Sequence, residues 1–145
     1  MTNAELVSVL LVEDDPGDVL LVREAFGEQK VGNALDVVSD GVQAMEYVRG
    51  EGEFADRERP DLVLLDLNLP RKSGAEVLDE IKSDPELATI PVIVLTTSKA
   101  EEDVLRSYRA HANAYITKPV DFERFRQIVH KIDDFFVGIV RLPPR

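Results

Sequence analysis

Cysteine is absent from this chain, which excludes disulfides, a thiolate metal site and a cysteine nucleophile. That absence does not by itself assign a compartment. No apolar run reaches the ~20 residues that a membrane-spanning helix needs, because charged residues interrupt each one. The opening Met1-Thr2-Asn3-Ala4-Glu5 carries no basic segment, so no secretory leader is expected. The cytoplasm is therefore the expected compartment, with no membrane contact. Basic clusters are missing as well. With 17 Lys and Arg against 28 Asp and Glu the net charge is −11, a balance that repels phosphate backbones and anionic lipid and argues against a nucleic-acid partner. Most of this acidity reads as solvated surface, and the remainder as one local cluster of carboxylates. The two histidines, His111 and His130, have no catalytic partners in sequence and read as surface or helix-face residues.

What is present fits one domain covering residues 1–145, a length that buries roughly two-thirds of its surface. The fractions, 44% hydrophobic and 31% charged, are those of a folded globular chain. Short apolar, β-branched runs alternate with segments of helical period, the pattern of βα units on a parallel sheet. The expected strands are Val7–Val12, Leu35–Val38, Leu62–Leu65, Val92–Leu95 and Ala114–Thr117. Leu62-Val63-Leu64-Leu65 and Val92-Ile93-Val94-Leu95 are continuously apolar, as strands covered on both faces should be.

A helix-start signal follows each run. Asp15 precedes Pro16, a cap followed by proline at the first helical position. Asp40 stands three residues before Gln43; Ser73 with Glu76 and Ser98 with Glu101 have capping-box spacing; Asp121 can cap the last helix. Gly74, Val77, Leu78 and Ile81 then share one buried face. Five strands alternating with five helices make a doubly wound α/β sheet with right-handed crossovers. Ligands of such sheets bind beyond the carboxyl ends of the strands, so the residues just after each strand matter most.

Glu13, Asp14 and Asp15 follow the first strand, and Asp66 ends the third, ahead of Leu67-Asn68-Leu69-Pro70. Thr96 and Thr97 end the fourth strand, and Lys118-Pro119 the fifth. If the first and third strands are neighbours, Glu13, Asp14 and Asp66 converge. Two carboxylates about 4 Å apart repel by roughly 4 kcal/mol at an effective dielectric near 20. Such a cluster must hold a proton, recruit a cation or keep a lysine nearby. Oxygen-only ligands suit a hard cation, and few carboxylates with several waters suit Mg²⁺. A metal and Lys118 together can neutralise a transferring phosphoryl group while one carboxylate attacks it.

Four stretches, Val12-Glu13-Asp14-Asp15, Leu65-Asp66-Leu67-Asn68-Leu69-Pro70, Leu95-Thr96-Thr97 and Tyr115-Ile116-Thr117-Lys118-Pro119, resemble the motifs of two-component response regulator receiver domains. They occur in the same order over nearly the whole chain. The resemblance implies a (βα)5 flavodoxin-like fold with strand order 2-1-3-4-5. It also implies that Asp66 accepts a phosphoryl group from a histidine kinase in a Mg²⁺-dependent reaction. Asp14, Asp66 and the Asn68 backbone carbonyl would hold the metal, with Glu13 acting through water. Lys118 would pair with the phosphoryl oxygens, Thr96 would hydrogen-bond them, and Tyr115 would follow Thr96 inward as an aromatic switch. The chain would then be a signalling switch rather than a turnover enzyme, catalysing only its own phosphorylation and slow dephosphorylation.

Each residue has a plainer reading. Glu13 and Asp14 alone would be a solvated turn, Thr96 an ordinary strand end, Tyr115 a packed aromatic and Lys118-Pro119 a surface loop. Their combination decides against those readings, while Asp15 is assigned to the helix cap. A flavin-binding module would need a Ser, Thr and Gly-rich first loop instead of Glu13-Asp14-Asp15. An aspartate-nucleophile phosphatase would carry an acid where Asn68 stands. A degenerate receiver would lack one of the acids or the lysine.

The last helix is too apolar for one buried stripe. Phe122, Phe125, Val129, Ile132 and Phe136 form one row, and Ile128, Phe135 and Ile139 an adjacent one. Exposed apolar surface of this kind marks a partner site. The core is therefore expected over about 6–134, with an extension over about 135–145 serving a symmetric dimer. Phe135-Phe136 followed by Arg141-Leu142-Pro143-Pro144 is similar to the tails of small regulators that accompany bacterial phytochromes, which implies a phytochrome-type kinase. No output domain is expected after the fifth helix, so output would be contact with a downstream target or onward phosphotransfer.

Overall fold

A computed structural model of the chain describes residues 7–27, 33–96, 112, 114–117, 123–124, 126–127 and 130–131. Five strands form one sheet in the order β2-β1-β3-β4-β5. They are β1 (Val7–Val12), β2 (Asn33–Val38), β3 (Leu62–Asp66), β4 (Val92–Thr96) and β5 (Ala114–Thr117), and all four neighbouring pairs are parallel. Three complete α-helices are described: α1 (Pro16–Gly27), α2 (Gly41–Arg49) and α3 (Gly74–Ser83). The helix starts expected at Ser98 and Asp121 lie outside the described residues. Residues 123–124, 126–127 and 130–131 are helical, in keeping with a helix after β5.

Side chains alternate across a strand, so each central strand feeds two cores. Leu10, Val12, Val63, Leu65 and Val94 pack with α2 and α3 residues such as Met45, Val77 and Ile81. Val9, Leu11, Leu62 and Leu64 pack on the other face with Val22, Ala25 and Phe26 of α1. Every residue of β3 and β4 is buried, which is why both read as unbroken apolar runs. A side-chain link braces α2 against β2. The buried Tyr47 phenol donates to Asp36, and Arg57 Nη1 reaches the same carboxylate at 3.3 Å. Burial first, then Asp36, raises the phenol pKa well above its ordinary value.

Three strands differ in extent from the sequence expectation. β2 begins at Asn33, because Val7 and Ser8 of β1 offer ladder partners to Asn33 and Ala34 whatever their side chains. Asp66 and Thr96 are the last residues of β3 and β4. Asp66 stays in the ladder opposite Leu95, and the Leu67 N–H donates to the Leu95 carbonyl at 3.1 Å.

The caps form as their spacing predicts. The Gln43 N–H donates to Asp40 Oδ1 at 2.8 Å, and Ser73 with Glu76 makes a complete capping box. Gly74 is required for closeness rather than for backbone freedom. A Cβ there would stand 2.3 Å from the Asp66 carbonyl oxygen and 2.6 Å from Leu67 Cα. Both are backbone atoms, so the start of α3 would have to withdraw from the end of β3. Gly74→Ala is expected to destabilise the fold by about 1–3 kcal/mol in urea unfolding, whereas Gly27→Ala, with nothing within 4 Å of its Cβ, should be neutral or mildly stabilising.

Candidate metal and phosphoryl site

Register builds the site. Val12 is level with Leu65 across the β1–β3 ladder, so the next residues, Glu13 and Asp66, stand side by side at the carboxyl edge of the sheet. The Glu13 N–H donates to the Val38 carbonyl at 3.0 Å, which continues the ladder one step past β1. One carboxylate oxygen each from Glu13, Asp14 and Asp66 lies within 4.8 Å of the others. Glu13 and Asp66 are 1% and 3% exposed, while Asp14 is exposed. The cluster thus has a buried floor and an open side.

Local bonds orient these acids. The Asp15 N–H donates to Glu13 Oε2 at 3.2 Å, and the Asn68 N–H to Asp66 Oδ1 at 3.2 Å. Asn68 itself is exposed. The Asp15 carboxylate is not one of the three clustered groups: the Gly17 N–H reaches its Oδ1 at 3.4 Å and the Val19 N–H reaches the Asp15 carbonyl at 3.0 Å, as a helix cap requires.

Thr96 is fully buried, one step beyond Leu95, which is level with Asp66. It is level with Thr117 of β5. Lys118 follows Thr117 in sequence and lies outside the described residues. Tyr115 is half-buried, packs against the core on the α2 and α3 face, and accepts a hydrogen bond from the Ala112 N–H at 3.2 Å. Level with Val94, it sits below the edge that carries Thr96. His130 is exposed, as expected, and His111 is outside the described residues. So are Phe122, Phe125, Phe135, Phe136 and Ile139.

Sequence reasoning missed what frames the loop after Asp66. Arg71 Nη1 donates to Asp40 Oδ2 at 3.2 Å, and a Cβ on Gly41 would stand 2.1 Å from the Lys72 carbonyl oxygen. Asp40 was legible only as a helix start. The one available signal was the basic pair Arg71-Lys72 in an acidic chain.

The donor set fits a hard divalent cation. Three carboxylates pressed together repel one another, oxygen ligands and water suit Mg²⁺, Ca²⁺ or Mn²⁺, and the exposed Asp14 leaves a way in. A parallel, doubly wound sheet with a cluster of carboxylates at its carboxyl edge is an α/β architecture whose ligands bind at that edge. Residues 9–130 match the response regulator receiver domain, and the chain belongs to that family. The response regulator Rcp1 of Synechocystis sp. is 44% identical over 135 residues, 93% of this chain and 92% of Rcp1. The phosphorylated cyanobacterial phytochrome response regulator RcpA superposes with a TM-score of 0.81 at 49% identity, over 91% of this chain and 94% of RcpA. Mn²⁺-bound Rcp1 gives a TM-score of 0.82 at 43% identity, over 95% and 99% of the two chains. No helix among the described residues is long and apolar enough to cross a membrane.

Adding MgCl₂ or MnCl₂ at constant ionic strength should raise the thermal unfolding midpoint, by an amount equivalent to about 2.7 kcal/mol at 100 times the dissociation constant. Asp14→Asn should remove that rise and leave the metal-free protein as stable as the wild type or more so, since one like charge has gone.

Proposed function

We propose that this chain is a phosphorylation-switched receiver in which Asp66 takes a phosphoryl group from a histidine kinase. One observation carries the reading: a buried aspartate at the end of a central strand, with a carboxylate oxygen within 4.8 Å of those of Glu13 and Asp14. The match to the receiver family supports it, as does the similarity to RcpA, which is phosphorylated.

The donor is a phosphohistidine whose second ring nitrogen carries a proton. As an Asp66 carboxylate oxygen forms its bond to phosphorus, the phosphorus–nitrogen bond breaks. Its electron pair stays on the ring nitrogen and neutral imidazole departs. Asp14, Asp66, the Asn68 carbonyl and, through water, Glu13 would hold Mg²⁺, which when bound supplies charge neutralisation for the phosphoryl oxygens. Lys118 pairs with the same oxygens, and the Thr96 hydroxyl hydrogen-bonds them. Tyr115 follows Thr96 and carries the change to the surface. Slow hydrolysis of the aspartyl phosphate resets the switch, so the protein turns over nothing beyond its own modification.

The kinase is of phytochrome type on the strength of the similarity to RcpA. The output is contact with a downstream protein or phosphotransfer to one, in the cytoplasm, without nucleic acid or membrane. The domain covers 1–145, its core about 6–134, and the apolar rows with Phe122, Phe125, Phe135, Phe136 and Ile139 serve a homodimer.

Acetyl phosphate with Mg²⁺ should label the wild type and leave Asp66→Asn unlabelled; equal labelling of the two would remove Asp66 as the acceptor. Lys118→Ala should accept phosphate in part yet show no phosphorylation-dependent change in partner affinity. Light scattering should show a dimer, and a monomer at high concentration with and without phosphorylation would dismiss that assembly.

A further inference from the structure

The loop joining β3 to α3 reverses through an unusual residue. Arg71 has φ 68° and is the one non-glycine residue with positive φ among the described residues. The Lys72 N–H closes a three-residue turn around it by donating to the Pro70 carbonyl at 2.8 Å. A side chain disfavours this region of backbone space, and turns of this size are strained when the central φ is positive. Something outside the loop must hold it there.

Asp40 is the evident holder. It is 5% exposed and uses both carboxylate oxygens: Oδ1 caps α2 through the Gln43 N–H at 2.8 Å, and Oδ2 accepts from Arg71 Nη1 at 3.2 Å. Gly41 lets the start of α2 touch the Lys72 backbone. Lys72 Nζ binds Glu80, whose other oxygen lies 3.6 Å from Arg49 of α2. At its near end the same loop carries Asn68, bonded to Asp66, and the Gly74 N–H donates to the Leu67 carbonyl at 3.0 Å.

We propose that Asp40 and Arg71 are positioning residues, which hold this loop so that the Asn68 backbone stays within reach of a cation at Asp14 and Asp66. The proposal rests on the metal reading above and extends it to α2. The competing view is that Arg71, with 59% of its side chain exposed, makes a surface ion pair of little consequence. Two features oppose that view: the acceptor is buried, and the turn it restrains is one the backbone disfavours.

The two residues can be varied without unfolding the chain. Asp40→Asn keeps the cap, since asparagine caps as well as aspartate, but replaces Oδ2 with a group that cannot accept from a guanidinium. Arg71→Ala removes the tie and leaves a side chain in the disfavoured region of backbone space. Arg71→Lys restores a cation. Calorimetric titration of MgCl₂ into each metal-free protein at fixed ionic strength reads the effect, alongside urea unfolding of the same samples. Each disruptive variant should weaken Mg²⁺ binding about threefold to tenfold, less than the 10–100-fold typical of losing a direct partner of a ligand. The double variant should be no weaker than the worse single one, because both act through one contact, and Arg71→Lys should recover most of the loss. Unchanged affinity in the single variants, losses that add in the double, or losses that follow the unfolding midpoint would each overturn the proposal. A wild type that fails to bind Mg²⁺ overturns the metal reading itself, and this one with it.

Discussion

The pairing of β1 with β3 is the constraint on which the rest depends. A parallel ladder leaves no freedom in which residues emerge side by side: with Val12 opposite Leu65, Glu13 and Asp66 must lie together at the edge. The acids cannot separate without breaking backbone hydrogen bonds, and those bonds sit among side chains that are completely buried. Unit charges about 5 Å apart repel by roughly 3 kcal/mol at an effective dielectric near 20. The fold therefore sets apolar burial along the whole sheet against repulsion at one end of it. A bound cation relieves that repulsion and turns a local liability into an affinity.

The surrounding elements serve this edge in different ways. α1 starts just past the first acids, with Asp15 turned to its cap. Gly74 lets α3 begin against the backbone of Asp66. On the far side α2 meets the loop after β3 through Gly41 and the Asp40–Arg71 pair, and Tyr47 in turn ties α2 to β2. The segment around Asp66 thus meets α2 and α3 as well as β4, where Thr96 is buried at the strand end.

Much of this was legible in the residues themselves. Strand identity followed from apolar runs, because β3 and β4 are covered on both faces and have no polar side to interrupt them. The helix starts followed from Asp40 and Ser73, whose caps depend on neighbours three residues away. The acids that the structure brings together, Glu13, Asp14 and Asp66, could be picked out because sheets of this kind bind ligands at strand ends. Other features are tertiary and left little or no local trace. Nothing in Pro70-Arg71-Lys72 announces a left-handed arginine, since the residue is held there by an aspartate 31 positions away. Gly41 and Gly74 look like ordinary helix starts until the opposing backbone is in place. The start of β2 at Asn33 depends on its partner strand rather than on its own composition.

The central claim is that the fold forces carboxylates from two separate strand ends into a cation site, and crystallography in a magnesium salt addresses it most directly. The account predicts electron density for one ion bonded to oxygens of Asp14 and Asp66, with a water between it and Glu13. Carboxylates turned away from one another, with only disordered solvent between them at saturating magnesium, would contradict it.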